Sequence, residues 1–156
     1  MDAQQLQTLK AAILADPVLS AYPQSIDGAY DMATYLRGMA SPVFTVWNSA
    51  MTPEISRAAV VVGATQLDSL TAGKRDALLY IVSGTLDCTK AAVRQALDDL
   101  TGSQNVLKAA IVAAEKRPAL RIEKILSTGT GSEASPATTA WDGSLGYSDI
   151  LDARAA

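Results

Sequence analysis

The feature that most constrains this chain is a succession of apolar stripes at helical spacing, each bounded by residues that start or stop helices. Two consecutive stretches show the pattern most clearly, with apolar residues at positions 93, 96, 97 and 100 and then at 107, 110, 111 and 114. Asp87 and Ser103 precede these stretches as capping residues, and Gly102 separates them. Spacing of three and four residues predicts amphipathic helices that pack against one another.

Similar signals predict the other helices. Asp16 and Pro17 end a first helix over residues 3–15, because proline disfavours a helical conformation in the residue before it. Asp27 caps a second predicted helix, which stops near residue 38. Thr52 begins a third, running to about residue 61, and Ser69 or Thr71 begins a fourth that closes at residues 83–84. A short helix is expected after residue 118.

The composition supports the prediction of packed helices, since hydrophobic residues make up 49% of the chain and aromatic residues only 5%. Ala, Leu, Val and Ile therefore fill the core, as is typical of closely packed helices. With 156 residues, one core suffices. Phe44 and Trp47 lie in a segment, residues 41–47, that is either extended or anchored to the core, and we favour the anchor.

The composition changes abruptly after residue 127. Residues 128–146 are rich in Gly, Ser, Thr and Ala and have no helical period, which indicates an extended arm or a loop. Helical character returns at Tyr147, with Ser148 as a capping residue. The predicted fold is therefore all-α: a compact helical bundle over residues 1–127 and an extended C-terminal arm over residues 128–156 with a short terminal helix.

Charge and hydropathy narrow the function classes. The net charge is −3 and the pI is near 4.8, opposite to the basic surplus typical of general nucleic-acid binding. No apolar run is long enough to span a bilayer, and no signal peptide is recognisable, so we expect a soluble chain made in the cytoplasm. The single cysteine, Cys88, is expected to be an inert buried thiol.

The absence of histidine bears directly on catalysis. Ser-His-Asp and Cys-His sites and zinc sites built on His are excluded. Asp98 and Asp99 are the obvious carboxylate pair, but adjacent helical positions point about 100° apart, so a solvated helix end is the better interpretation. Residues 129–132, GTGS, follow a helix and lack the ending of a phosphate-binding loop. We predict no catalytic, cofactor or metal site; only a hydrolase built on carboxylates alone survives as an enzymatic alternative.

Two groups of residues are candidates for partner binding. Arg117, Arg121 and Lys124, at i, i+4 and i+7, are predicted to share one side of the short helix. That basic edge is either a solvated face or a contact with an acidic surface on a neighbouring subunit, for example the acidic tail of another copy; a DNA-facing role is a third interpretation. Trp141 is the second candidate, and it either docks in a partner or folds back onto its own core, together with Leu145 and Tyr147. A turn at residues 142–143 would present it.

Four stretches carry a family resemblance that spans most of the chain: IDGAY at 26–30, ASPVFTVW at 40–47, STGTG at 127–131 and WDGSL at 141–145. In this order they resemble small tailed-bacteriophage proteins of virion assembly, similar to helical head-to-tail connector, or adaptor, proteins. Such proteins form a ring beneath the portal and hold it with extended C-terminal segments.

The resemblance implies a non-enzymatic virion protein at the head–tail junction that binds the portal, neck or tail proteins and other copies of itself, with only non-specific proximity to packaged DNA. Residues 128–147 would then contact the portal or adjacent copies. Within them the partner-binding candidates are Gly129, Gly131, Pro136, Trp141, Leu145 and Tyr147. A tail-completion or neck stopper protein and a phage regulatory protein outside the virion remain alternatives.

Overall fold

The computed structural model describes residues 1–141 and 143–156. Helices account for 56% of the chain, and the strands are short, so the protein is mostly helical. In chain order the helices are α1 (Ala3–Ala15), α2 (Pro17–Ser20), α3 (Ile26–Leu36), α4 (Pro53–Val62), α5 (Ala64–Leu67), α6 (Ala72–Ile81), α7 (Ala91–Thr101), α8 (Asn105–Ala114), α9 (Arg121–Ile125) and α10 (Tyr147–Ala155). The strands are β1 (Thr45–Trp47), β2 (Lys116–Pro118), β3 (Ser127–Thr128) and β4 (Thr138–Thr139).

The chain forms two compact units. Unit 1 consists of residues 1–46 and 118–156, and unit 2 of residues 47–117. Each unit buries its own apolar cluster. The predicted boundary at residue 128 lies within unit 1. Helical stripes report which face of a helix is buried but not which helices share a core, so they do not predict a division into two units.

Unit 1 is built around α1, α3 and α10. The Asp2 carboxylate accepts a hydrogen bond from the Gln5 N–H at 2.8 Å and so caps α1. α10 packs against α3 and α1 and buries Ile150 and Ala153 completely. The C-terminal helix is therefore part of the core of this unit.

In unit 2, α4 lies directly against α8. A Cβ atom added to Gly63, at the end of α4, would lie 2.5 Å from the Cα atom of Leu107. The helices therefore approach closely only because residue 63 has no side chain. The cluster behind them consists of Met51, Ala59, Val60, Leu78, Val82, Cys88, Leu97, Leu107 and Ile111.

The strands form two small sheets, each with two strands. β1 pairs with β2, and β3 pairs antiparallel with β4 in the register Ser127 to Thr139 and Thr128 to Thr138. The segment over residues 41–47 is therefore extended at its end. It is also anchored, because Val46 is fully buried and Phe44 packs against the cluster of Val46, Ala119 and Ala137.

Most predicted helices are confirmed, while several of their first residues were misplaced. α1 ends before Asp16, as predicted, and the Thr71 hydroxyl accepts a hydrogen bond from the N–H group of Lys74 at the start of α6. The predicted caps at Asp27, Asp87 and Ser103 are wrong: the capping positions are Ser25, Lys90 and Gln104. The Ser25 hydroxyl accepts a hydrogen bond from the Gly28 N–H, whereas α7 and α8 begin without a side-chain cap, so capping residues alone do not locate those two starts.

The C-terminal segment is folded onto unit 1, so the bundle with a free arm is not confirmed. Trp141 and Leu145 join the buried cluster that α1, α3 and α10 form. The terminal helix is confirmed as α10, although Gly146 rather than Ser148 occupies the capping position. Within residues 1–141 and 143–156, no helix is both long and apolar enough to cross a bilayer.

Candidate functional site

Two of the predicted partner-binding cations line one cleft in unit 1. It has a volume of about 240 Å³ and lies between the start of α2, the end of α3 and α9. Arg121 and Lys124 supply its positive charge, and Tyr35 supplies an aromatic wall. We call it the Arg121 cleft; its full lining is Asp16, Leu19, Tyr35, Leu36, Ala40, Ser41, Arg121, Lys124 and Ile125.

Arg121 is held in place by its neighbours. Its guanidinium carbon lies 4.1 Å from the centroid of the Tyr35 ring, and Nη1 donates a hydrogen bond of 2.9 Å to the Tyr35 carbonyl oxygen. The backbone N–H of Arg121 donates to the carbonyl of Gly38, where a side chain would overlap the guanidinium group. Such fixed stacking leaves the remaining N–H donors oriented for a carboxylate without a large entropic cost.

Lys124 is the more accessible cation. It is exposed, and Nζ lies 5.8 Å from the centroid of the Phe44 ring. Among the described residues neither Lys124 nor Arg121 forms an ion pair within 4.0 Å, although Asp16 also lines the cleft. The Asp16 carboxylate instead accepts hydrogen bonds from the N–H groups of Val18 and Leu19.

Arg117 does not share this face. It lies in β2, whereas α9 begins only at Arg121, so the predicted i, i+4, i+7 helix is wrong at its first member. Pro118 explains the difference, because the residue before a proline is disfavoured in the helical region and adopts extended structure. The Glu123 carboxylate then accepts the Leu120 N–H at 2.8 Å, which places the start of α9 after Leu120.

Gly129, Gly131 and Pro136, three of the arm candidates, belong to a loop that packs onto β1. The Gly131 carbonyl accepts a hydrogen bond from the Thr45 N–H at 2.7 Å, and the Ala137 N–H donates to the Thr45 carbonyl at 2.9 Å. Gly129 and Gly131 have φ values of +114° and +66°, and Pro136 is buried. The backbone conformation and packing within this chain therefore explain why glycine or proline occupies these three positions.

Replacing Gly131 with alanine is expected to lower the free energy of unfolding by about 2 kcal/mol, because the new Cβ would overlap the Phe44 ring at a φ of +66°. Gly73 provides the control, since its φ is ordinary and a Cβ there meets open space; Gly73→Ala in α6 should be neutral or stabilising. Urea denaturation followed by circular dichroism measures both changes. Equal effects of the two substitutions would contradict this role of Gly131.

Of the remaining arm candidates, only Tyr147 is on the surface. Trp141 is 7% exposed and Leu145 is 2% exposed, whereas Tyr147 is 48% exposed. The backbone N–H of Trp141 also donates a hydrogen bond of 3.0 Å to the Thr139 hydroxyl. Of the two interpretations of Trp141, folding onto its own core is the one seen in this chain. The predicted turn at 142–143 includes Asp142, which lies outside the described residues.

Unit 2 contains a buried polar cluster that was not predicted from the sequence. The Arg94 guanidinium lies 4.1 Å from the Trp47 ring centroid and donates to the carbonyl oxygens of Cys88 and Thr89. Glu115 is only 3% exposed, and burial, partly offset by Arg94, raises the pKa of its carboxyl group to about 7. A signal was present, because Glu115 continues the stripe of Leu107 and Ile111 at intervals of four residues.

Cys88 is buried, as predicted. Burial, and then the nearby Glu115 and Asp87 carboxylates, raise the pKa of its thiol to about 12. We therefore expect iodoacetamide to leave Cys88 unmodified in the folded chain at pH about 8, where a free thiol reacts readily. The same chain unfolded in guanidinium should be labelled completely, which mass spectrometry detects; equal labelling rates in both states would show that the thiol is accessible.

Asp98 and Asp99 have separate partners. Asp98 forms an ion pair with Lys108, and Asp99 accepts a hydrogen bond of 2.8 Å from the Gln95 side chain. The two carboxylates therefore belong to the exposed end of α7, as expected from their adjacent positions. Among the residues that the structure describes, no three His, Cys, Asp or Glu side chains are grouped as ligands for a metal ion.

Comparison with known proteins adds no identification: the chain matches no protein-family model, no curated protein and no solved structure.

Proposed function

We propose that this chain is a structural protein of a tailed-bacteriophage virion, a head–tail adaptor whose copies form a ring that joins the portal to the neck or tail. The resemblance of the four sequence stretches suggests this role. Exposed apolar side chains and a cationic cleft support it.

The observation that carries the proposal is an apolar face on α4 that the chain leaves open. Ser56, Ala59 and Val60 face α8 and are buried, while Ile55, Val61 and Val62 are 43%, 71% and 66% exposed. With Ala58, the exposed residues form a patch along one side of the helix. Contiguous apolar side chains of this kind are typical of surfaces that another protein covers.

Unit 1 supports the same proposal with exposed apolar side chains of its own. Leu14, Ile26 and Val43 are 71%, 65% and 76% exposed. The Arg121 cleft adds two cations without a carboxylate partner in the described part of the chain. Apolar contacts would supply affinity between subunits, while the charges would select the partner and its orientation.

In this proposal the predicted arm acts through the residues that remain on its surface. Ser132, Ser135 and Tyr147 are exposed, whereas Trp141 and Leu145 hold the segment onto unit 1. The loop of residues 132–135 and the start of α10 would therefore contact the portal or an adjacent copy. Repetition of such contacts around a ring multiplies weak binding into a stable joint.

Incorporation into particles tests the proposal. A phage that carries Val62→Asp should assemble heads but lose this chain from purified particles, because a carboxylate in the covered apolar patch is left without solvent. Thr65→Asp is the matched control: residue 65 is also exposed and lies about one turn further along the chain, outside the patch. Circular dichroism checks that both variants remain folded.

Quantitative mass spectrometry of the purified particles provides the measurement. The proposal requires the wild-type chain and Thr65→Asp in particles and a loss of Val62→Asp by at least tenfold. Finding the wild-type chain only in the soluble fraction of infected cells would reject the adaptor and favour a regulatory binding protein. Finding it in isolated tails that have no portal would favour the tail-completion role.

A further inference from the structure

Helix α3 has opposite chemistry at its two ends. Asp27 and Asp31, one turn apart in its first half, are exposed. At its other end Tyr35 and Leu36 line the Arg121 cleft. Along the axis of α3, Asp27 and Leu36 are nine residues, or roughly 14 Å, apart, and Asp31 and Tyr35 are four residues, or roughly 6 Å, apart. Helix α3 therefore carries two exposed carboxylates in its first half, and its end lines a cleft whose cations, Arg121 and Lys124, belong to α9.

The acidic end also carries apolar side chains without cover. Ile26 and Tyr30 are 65% and 58% exposed, again one turn apart. The opposite side of α3 is fully used, since Ala29, Met32 and Ala33 are buried in the core of unit 1. We call the exposed side, formed by Ile26, Asp27, Tyr30 and Asp31, the acidic face of α3.

Neither surface has an ion-pair partner among the described residues. Asp27 and Asp31 form no ion pair there, and Arg121 and Lys124 form none either. Unit 1 as a whole contains five Lys and Arg against nine Asp and Glu, so the Arg121 cleft is a local concentration of positive charge on an acidic unit. The charge distribution favours an acidic protein surface as the occupant of the cleft and disfavours a polyanion.

Resting on the adaptor proposal, we infer that the Arg121 cleft of one copy receives the acidic face of α3 from the next copy. Asp27 and Asp31 would meet Arg121 and Lys124, while Ile26 and Tyr30 would cover apolar side chains of the cleft such as Ile125. Because the two surfaces differ, the contact is head to tail. Such contacts close into a ring when the rotation between copies permits it.

The placement of carboxylates on α3 and of α9 cations beside its end also has an intramolecular explanation. Acidic residues near the start of a helix and cations near its end interact favourably with the helix macrodipole. That explanation predicts an effect on stability alone. The contact between copies predicts an effect on association, which depends on pairing charges in different chains.

Charge reversal separates the two explanations. Lys124→Glu and Asp31→Lys should each weaken self-association of the full-length chain by about tenfold, measured by sedimentation velocity over a range of concentrations. An equimolar mixture of the two variants should associate as the wild type does, because each reversed cleft then meets a reversed acidic face. The double variant should likewise recover. Added salt should weaken the wild-type contact.

Asp152→Lys is the matched control, since Asp152 is an exposed carboxylate of unit 1 that lies on α10 and outside the acidic face. It should leave association unchanged. A wild-type chain that is monomeric throughout, or variants whose mixture fails to recover, would overturn the inference. Normal association of Asp31→Lys would also overturn it. If Lys124→Glu then lost binding to duplex DNA, the cleft would be a DNA contact.

A failure of this contact between copies can be distinguished from a failure of the adaptor proposal. If the chain is present in particles but Lys124→Glu and Asp31→Lys enter them at wild-type levels, the adaptor role stands and this contact is wrong. If the chain is absent from particles but self-associates through the charge pair, the contact stands and the adaptor role is wrong.

Discussion

Replacing Trp141 with alanine is expected to lower the free energy of unfolding by about 3 to 5 kcal/mol, because its large ring is buried. The residue is 7% exposed and packs in the cluster that contains Leu145 and Ile150. Substitution would leave a cavity that the surrounding helices cannot fill. Urea denaturation followed by far-ultraviolet circular dichroism measures the loss.

Tyr147 provides the matched control for this prediction. It is an aromatic residue of the same C-terminal segment but is 48% exposed. Tyr147→Ala should therefore cost less than about 1 kcal/mol. If Trp141→Ala is as mild as Tyr147→Ala, the segment is not held on unit 1 and the arm extends freely, as the sequence first suggested.

The stability of unit 2 is expected to fall as the pH rises from about 4 to about 8, because of Glu115. Burial raises the pKa of its carboxyl group from 4.5 to about 7, Arg94 and Lys116 offset part of this effect, and Asp98 adds to it. The folded chain therefore keeps the proton to higher pH than the unfolded chain does, and this stabilising difference disappears through about pH 7. The pKa change corresponds to about 3 kcal/mol.

Glu115→Gln should remove this pH dependence, since glutamine has nearly the same shape and no charge. At pH about 8 the variant should be more stable than the wild type by up to about 3 kcal/mol. Denaturant titrations across this pH range measure both chains. A variant less stable than the wild type at high pH would show that the ionised carboxylate is favourably paired.

Glu54→Gln provides the control for the pH series. Glu54 is exposed, and hydrogen bonds from its own backbone N–H and from the Thr52 hydroxyl lower the pKa of its carboxyl group. The contribution of the ionised Glu54 carboxylate to stability is therefore lost as the pH falls through its pKa in the folded chain, which is the opposite of the change expected for Glu115. The decline between about pH 4 and pH 8 should persist in this variant.

Local signals predicted local structure well. Asp16 and Pro17 fixed the end of α1, and the apolar spacing located α7 and α8, because the interactions that decide these features lie within a few residues. In contrast, α4 packs with α8 while α3 packs with α10. This choice of partners depends on which apolar faces meet in three dimensions, and the spacing of apolar residues does not encode it.

The candidate site was predictable in part. Arg121 and Lys124 were identified from their separation by three residues, and the structure places both on one cleft. The stack of Arg121 on Tyr35 joins residues 86 positions apart and leaves no local signal. Composition predicted an extended arm or a loop after residue 127, and Gly131 and Pro136 suit the loop, which composition alone does not distinguish from an arm.

Electron cryomicroscopy of the phage particle that contains this chain tests the central claim most directly. The account predicts a ring of copies between the portal and the neck or tail, with the open face of α4 covered by a neighbouring protein. The chain should be traceable there with Trp141 buried in unit 1. A head–tail junction resolved to side-chain detail and built entirely from other chains would contradict the account.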